Sequence, residues 1–294
     1  MKIKEILYET SKQLEKFGIL DFDLEAEVLV RYILKIDRET IFQDLNKNLQ
    51  EIQKKSIYAV TEKRLKGYPL SYITGQREFY GIEIGVKEGV LIPRQETELL
   101  IETAINIANN LENKNLKIAD IGTGSGAIAI AIAINIPNSL VYASDISKEA
   151  LCVADENVKK YSLGNRILLN QGDLLENILD KVDIILSNPP YIPTAQLCDL
   201  SQEVLAEPRI ALDGGSNGLK VISKLFKEAV DKLSDSGFMI IEITPEISTQ
   251  VASLAKKYFP KANILILKDL MHNNRAVLIN RSIANFAEYH SRPN

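Results

Sequence analysis

The four residues Asn188-Pro189-Pro190-Tyr191 carry the most specific chemistry in this chain. Two adjacent prolines fix φ and donate no N–H bonds, which leaves their carbonyls as rigid acceptors. Asn188 adds a side-chain carbonyl and Tyr191 a flat aromatic face. Together these groups suit one job, gripping a planar –NH2: two acceptors take its two protons while a ring stacks on its plane. An amide or exocyclic amine is a poor nucleophile because its lone pair is delocalised, the same resonance that gives a peptide bond a barrier of about 18–20 kcal/mol. Acceptors on both N–H bonds raise the electron density on nitrogen, and preorganised groups of this kind supply roughly 3–4 kcal/mol each. Holding the nitrogen against an electrophile adds the gain of proximity. No separate general base is needed, and with two histidines in the chain none is obvious. The plain alternative is a turn after a strand; the surrounding motifs argue against it.

The nearest such motif is Gly122-Thr123-Gly124-Ser125-Gly126, which follows the apolar run Ile118 to Ile121 and leads into a helical stretch. Glycines at alternate positions permit tight backbone turns and close approach of a bound molecule. The helix start behind them offers free N–H groups to an anion. Asp145 ends the next strand candidate, 19 residues after Gly126, where a carboxylate can accept two ribose hydroxyls. Its alternative role is to cap the following helix, which Ser147 could do instead. Asp173 follows the third strand and could accept from an adenine amino group, with Leu174 packed on the ring. A nicotinamide dehydrogenase and an S-adenosylmethionine (AdoMet) methyltransferase both remain open on these residues. The G-x-G-x-G spacing differs from the G-x-G-x-x-G of pyrophosphate binders. It fits a loop wrapping the amino-acid end of AdoMet.

Positioning these groups requires a framework of alternating strands and helices. Strands are predicted at Lys117–Ile121, Leu140–Ser144, Arg166–Asn170, Val182–Ser187, Phe238–Ile243, Asn263–Leu267 and Arg275–Ile279, with helices between the first five and before the sixth. That rhythm implies an α/β fold with a mostly parallel, seven-stranded Rossmann-like sheet. The last two strands are about seven residues apart, too close for a crossover helix, and should form an antiparallel hairpin at the sheet edge. Ala127 to Ile134 alternates Ala and Ile like a strand, but its place after a glycine loop says buried helix. Ahead of this region, Arg77 to Val86 alternates like a short hairpin, and Glu96 to Asn110 reads as a helix after Pro93.

The first 66 residues read as helices only. Ile3, Ile6, Leu7, Leu14 and Phe17 share one helical face that ends at Gly18. Asp23 is the expected N-cap of a second helix carrying Leu24, Val28, Leu29, Tyr32 and Ile33. A third runs from about Leu49 to Leu65. The first 90 residues hold 15 basic and 15 acidic residues. A small basic cluster, Lys54, Lys55, Lys63, Arg64 and Lys66, reads as a solvated helix face.

Composition excludes several classes. Lys plus Arg is 35 and Asp plus Glu 39 over 294 residues, a net charge of −4, whereas proteins that live on phosphate backbones usually carry a basic excess. His272, His290, Cys152 and Cys198 cannot build a zinc site of normal spacing, so no metal is expected. The cysteines lie 46 residues apart without a C-x-x-C, which favours a reducing, cytoplasmic compartment. The N-terminus has no uninterrupted apolar core of a signal peptide. The longest apolar stretch is eight residues, Ala127 to Ile134, against the roughly 20 that span a bilayer.

The sequence resembles the protein-(glutamine-N5) methyltransferases that modify class-I peptide chain release factors, over nearly the whole chain. Besides the two loops, the resemblance rests on Tyr72-Ile73-Thr74-Gly75 with Phe79-Tyr80-Gly81, and on Leu91-Ile92-Pro93-Arg94-Gln95-Glu96-Thr97-Glu98. It rests also on Glu207-Pro208-Arg209 with Leu212-Asp213-Gly214-Gly215. The tetrapeptide alone is shared with DNA adenine and some RNA methyltransferases; the Pro93–Glu98 and Glu207–Gly215 segments are what single out this family. The resemblance implies a helical domain of residues 1–85 that holds the release factor, a hairpin linker to about 92, and an AdoMet-dependent catalytic domain over 93–294. It implies methylation of the glutamine of a Gly-Gly-Gln tip. By position, Gly122, Thr123, Gly124, Ser125 and Gly126 hold the methionine part of AdoMet, and Asp145 the ribose. Asp173, Leu174 and Asn188 complete the cofactor contacts. Asn188, Pro189, Pro190 and Tyr191 are the catalytic and substrate-binding set. Arg94, Glu96 and Glu98 fall near the pocket rim. A monomer is expected, with a release factor as partner and neither membrane nor nucleic acid. Gln95 stands where the family usually has proline, and His272 where glycine is common. The alternative substrate, an exocyclic amine of DNA or RNA, is disfavoured by the net charge of −4 and the neutral helical region. A non-catalytic AdoMet-binding module would predict damage at Asn188 or Tyr191, and both are intact.

Overall fold

The computed structural model describes residues 1–112 and 115–281; His290 lies outside the described residues. The chain divides into two compact units, Met1–Gln76 with Ser201–Ala206, and Arg77–Leu200 with the chain from Glu207 onward.

The first unit is helical. In α1 (Ile3–Lys16), Glu5 accepts the Lys2 N–H at 2.8 Å, and Ile3, Ile6 and Leu14 are buried. Phe17, predicted on the same face, is exposed because it is the C-cap, where the chain leaves the helix axis. In α2 (Phe22–Leu34) the N-cap position belongs to Asp21, not Asp23; Asp23 lies in the first turn and accepts the Ser11 hydroxyl of α1. The buried face of α2 is Ala26, Leu29 and Val30, with Leu24 and Tyr32 turned to solvent. Then come α3 (Arg38–Gln43), α4 (Glu51–Leu65) and α5 (Leu70–Thr74). The sequence reading lacks α3 and α5, since six and five residues make under two turns and carry no readable period. Two apolar clusters close the unit: Ile6, Val30, Ile41 and Ile57, and Leu14, Ala26, Leu29 and Ile73.

One member of the expected basic face is not solvated. Arg64 is buried, and its guanidinium takes Glu25 in a bidentate grip, Nε to Oε2 at 2.6 Å and Nη2 to Oε1 at 3.0 Å. Its Nη2 also meets Glu203 at 3.0 Å, fastening the 201–206 segment to this unit. A planar fork with several donors is what such a desolvated double pairing requires.

The second unit opens with a hairpin, β1 (Gln76–Phe79) and β2 (Ile82–Gly85), and α6 (Glu98–Asn110). There follow β3 (Lys117–Ile121), α7 (Ala127–Asn135), β4 (Leu140–Asp145), α8 (Lys148–Lys160), β5 (Ile167–Gln171) and β6 (Val182–Ser187). After the four-residue α9 (Gln202–Leu205) of the segment that belongs to the first unit, the chain continues through α10 (Lys220–Lys232), β7 (Leu233–Glu242) and α11 (Ser248–Tyr258). It ends in β8 (Asn263–Lys268) and β9 (Asn274–Asn280). All seven predicted strands of the main sheet form. In α7 the alternating Ala-Ile run is a helix with Ala127 to Ala133 all buried.

No helix forms between β5 and β6, contrary to expectation. Residues 172–181 must carry the chain across three strand spacings, about 14 Å. Ten residues manage this as turns anchored by the buried Leu175 and Ile178, while a helix rising about 1.5 Å per residue would consume them.

The sheet order is β5-β4-β3-β6-β7-β9-β8. The first five strands are parallel, and β9 runs antiparallel between β7 and β8. Strands β3 and β6 are central and almost wholly buried. The chain winds outward through β4 and β5 on one side of β3 and through β6 and β7 on the other. The order therefore reverses between β3 and β6, and ligands in such sheets bind at the carboxyl ends flanking that reversal.

Candidate active site

The register pairs Ile121 at the end of β3 with Ser187 at the end of β6, and the Ser187 hydroxyl donates to the Ile121 carbonyl at 2.7 Å. One residue further on, the two strands release the two loops singled out by sequence, Gly122–Gly126 and Asn188–Tyr191. A cavity of about 330 Å³ opens there, lined only by residues of the second unit. Of the expected site residues, Gly122, Thr123, Gly124, Ser125, Asp145, Asp173, Leu174, Asn188 and Pro190 line it. Gly126, Pro189 and Tyr191 do not. Apolar walls come from Val90, Leu91, Ile128 and Ile146.

The glycine loop needs its glycines for two distinct reasons. Gly122 (φ +73) and Gly124 (φ +56) adopt a left-handed backbone that other residues rarely accept. An added Cβ at Gly122 meets no protein atom within 4 Å, so its bareness leaves open space. At Gly126 an added Cβ would press on Ala154 Cβ at 3.3 Å, so this glycine lets α7 and α8 approach. The loop is tied from below by Asp120, which is fully buried and accepts the Thr123 hydroxyl at 2.6 Å and the Ala129 N–H at 3.1 Å. Burial pushes its carboxyl up to about 7. The sequence motifs leave Asp120 without a role, although a carboxylate inside the apolar run before the glycines is a visible signal.

Asp145 accepts the Gly124 N–H at 2.8 Å on Oδ2 and the Ser147 N–H at 2.9 Å on Oδ1. Burial raises its pKa against these hydrogen bonds. The cap of α8 is Ser147, whose hydroxyl accepts the Ala150 N–H at 3.1 Å. The Asp173 carboxylate is ion-paired with Lys224 of α10, an interaction absent from the sequence reading. Leu174 has a left-handed backbone (φ +58), and its carbonyl accepts the Ser144 hydroxyl at 2.8 Å.

The Asn188–Tyr191 loop is held from two sides. The Asn188 Nδ2 donates to the Thr97 hydroxyl at 3.1 Å, Thr97 donates to Glu242 Oε2 at 2.5 Å, and the Tyr191 hydroxyl donates to Glu242 Oε1 at 3.1 Å. Glu242 ends β7, is fully buried, and has its pKa raised by burial to about 7. Burial beside this carboxyl also raises the Tyr191 phenol. Tyr191, expected to offer a stacking face, is half-buried, with its hydroxyl held by Glu242. On the carbonyl side, an added Cβ at Gly214 would meet the Pro190 oxygen at 2.8 Å, and one at Gly218 the Tyr191 oxygen at 2.2 Å. Gly214 and Gly218 therefore let a second loop lie directly on the tetrapeptide backbone, which accounts for the glycines after Leu212-Asp213.

The segment Pro93 to Glu98 contributes through Pro93 and Thr97, which line the cavity. Arg94, Glu96 and Glu98, expected near the rim, are not among the lining residues. Arg94 pairs with the buried Glu207, which also accepts the Ile92 N–H at 3.1 Å; Glu98 accepts the Tyr80 N–H at 2.9 Å. Gln95 opens a 3-10 turn after an extended Arg94 (φ −101, ψ 145). A proline would impose that same backbone on its predecessor, so the turn forms without it.

Residues 96–217 match the family described as Methyltransferase small domain, and residues 5–75 the PrmC N-terminal domain. A release factor glutamine methyltransferase of Moorella thermoacetica is 38% identical over 96% of this chain and 99% of its own length. That of Rhodopirellula baltica is 35% identical over 95% and 96%. Among solved structures, a methyltransferase from Pyrococcus furiosus covers 69% of this chain and 91% of its own, with a TM-score of 0.51 at 18% identity, a likeness of fold. With whole-length relatives at this identity, the chain belongs to the release factor glutamine methyltransferase family.

Proposed function

We propose that this protein transfers a methyl group from AdoMet to the side-chain nitrogen of the glutamine in the Gly-Gly-Gln tip of class-I release factors. The observation that carries this reading is the meeting of both loops, Gly122–Gly126 and Asn188–Tyr191, at one cavity in a chain whose full-length relatives bear this activity's name.

The cavity suits AdoMet in its donor set and its shape. Left-handed Gly122 and Gly124 leave room beside their backbones for the methionine end. Asp145 is fixed by two backbone N–H groups and keeps lone pairs for ribose hydroxyls. Leu174 and Ile146 supply apolar surface for a base, with Asp173 at its edge. Bound there, AdoMet supplies an electrophilic methyl group.

The protein's own part is to bind and aim the glutamine amide. With Nδ2 of Asn188 committed to Thr97, its Oδ1 is the amide atom left to accept one N–H of the substrate. A carbonyl of the proline pair supplies the second acceptor; Pro189 stands between Asn188 and Pro190, which both line the cavity, and Gly214 already packs on one side of the Pro190 carbonyl. Gripping both protons turns the nitrogen lone pair toward the methyl donor and stabilises the positive charge that grows on nitrogen, which is discharged when the methylated amide gives up one of those protons to water. The helical first unit holds the body of the release factor. The protein works in the cytoplasm as a monomer, with neither membrane nor nucleic acid as partner. In support, no helix among the described residues is long and apolar enough to cross a membrane, both cysteines are free, and the net charge is −4.

Labelled AdoMet incubated with a purified release factor should label that protein, and Asn188→Ala should abolish most turnover with AdoMet affinity nearly intact. Full turnover in Asn188→Ala would overturn the assignment of Asn188. Label on naked DNA or RNA, with none on the release factor, would overturn the substrate.

A further inference from the structure

Asn188 can serve its purpose only if its amide faces the substrate with oxygen rather than nitrogen. A planar amide rotated by half a turn fits the same space, presents two donors in place of an acceptor, and repels an –NH2. Something must therefore choose between the two orientations. Two buried groups run on from the cavity-lining Asn188: the Thr97 hydroxyl at 3.1 Å, itself at the cavity wall, then the Glu242 carboxylate at 2.5 Å from Thr97. Thr97 and Glu242 are both almost wholly buried.

We propose that Thr97 and Glu242 are positioning residues that fix the orientation of the Asn188 amide, with the ionised Glu242 dictating the direction of the chain. The inference rests on the role given to Asn188 above. An ionised carboxylate only accepts, so the single hydroxyl proton of Thr97 must point at Glu242. The Thr97 oxygen is then an acceptor toward Asn188, which must answer with Nδ2 and so turns Oδ1 to the substrate. The other carboxylate oxygen takes the Tyr191 hydroxyl at 3.1 Å, so the same group holds both ends of the tetrapeptide. A protonated Glu242 can itself donate to Thr97. The Thr97 hydroxyl is then free to donate to Asn188, and the reversed amide becomes the stable one. Around Glu242, Arg275 of β9 favours the charged form and Glu96 opposes it, while burial opposes it most. The charged form is therefore lost as pH falls through about 7.

The test uses the full-length protein, a purified release factor and labelled AdoMet, with AdoMet binding by calorimetry as the control for folding. Thr97→Val keeps the shape and cuts the chain, and is expected to lower kcat roughly 10²-fold with AdoMet affinity unchanged. Thr97→Ser, which restores the hydroxyl, is expected to recover most of the loss. The parent kcat should fall below about pH 7, and Glu242→Gln and Thr97→Val should both lose that acid limb. Thr97→Val turnover within twofold of the parent, or an acid limb that persists in both variants, overturns the proposal. If Asn188→Ala is inactive in the same assay, that failure belongs to the relay. If Asn188→Ala is fully active, the failure belongs to the reading of Asn188 itself.

Discussion

Asn157 of α8 grips Gly85 of β2 with both halves of its amide. The Gly85 N–H donates to Oδ1 at 2.8 Å, and Nδ2 donates back to the Gly85 carbonyl at 2.9 Å. The second proton of Nδ2 goes to the carbonyl of Ser125, in the glycine loop, also at 2.9 Å. One buried side chain thus joins the hairpin to the cofactor loop. A Cβ on Gly85 would sit 2.8 Å from Oδ1, so the contact also dictates that glycine.

Asn157→Leu fills the same space and leaves three backbone groups unpaired. At about 1–3 kcal/mol for each buried polar group stranded, the variant is expected to lose at least about 2 kcal/mol of stability. Because Ser125 is freed, AdoMet affinity should fall as well. Urea unfolding with calorimetric titration of AdoMet checks both, and a variant matching the parent in both counts against the stitch.

The buried Asp120 carboxyl makes a prediction about pH. Its folded pKa is about 7, while an unfolded aspartate titrates near about 4. Between those values the folded protein keeps a proton that the unfolded chain has released. Stability from this group is therefore present at acid pH and lost as pH rises through about 7, at roughly 1.4 kcal/mol per pH unit inside the window. Asp120→Asn removes the titration. Unfolding curves at about pH 5 and about pH 8 should show the variant gaining roughly 2.5 kcal/mol on the parent with rising pH; an equal difference at both would refute the assignment.

His272 holds a left-handed backbone, a conformation that suits glycine better than a residue with a Cβ. At the turn between β8 and β9 its φ is +64, and its N–H donates to the Asp269 carbonyl at 3.0 Å. The left-handed backbone costs a residue with a Cβ about 1–2 kcal/mol, of which the greater chain entropy of glycine takes back about 0.5–1 kcal/mol. His272→Gly is thus expected to stabilise the protein by about 0.5–1 kcal/mol and leave turnover unchanged, since the side chain is exposed and far along the chain from either site loop. An unchanged or lowered melting temperature would contradict this.

By itself the sequence determined most of what rests on short-range rules. Glycines at alternate positions after an apolar run, an acidic residue at the next strand end and the Asn-Pro-Pro-Tyr turn are local signals. The alternation of strand and helix, and the short gap before the last strand, set a parallel sheet closed by an antiparallel hairpin. What failed locally failed for want of length or period: α3 and α5 are shorter than two turns, and the link from β5 to β6 is too short for the helix assumed there. Only the tertiary structure decided the support of the site. Thr97, Asn188, Tyr191 and Glu242 lie up to 145 residues apart and meet because β6 and β7 are neighbours with α6 beside them. The pairing of Asp173 with Lys224, of Arg64 with Glu203, and of Gly218 with the Tyr191 carbonyl depends likewise on which elements pack together. A buried carboxylate at the end of an apolar strand looks the same in sequence whether it is a misplaced charge or an anchor. Its partners, supplied by distant segments, make Glu242 the anchor.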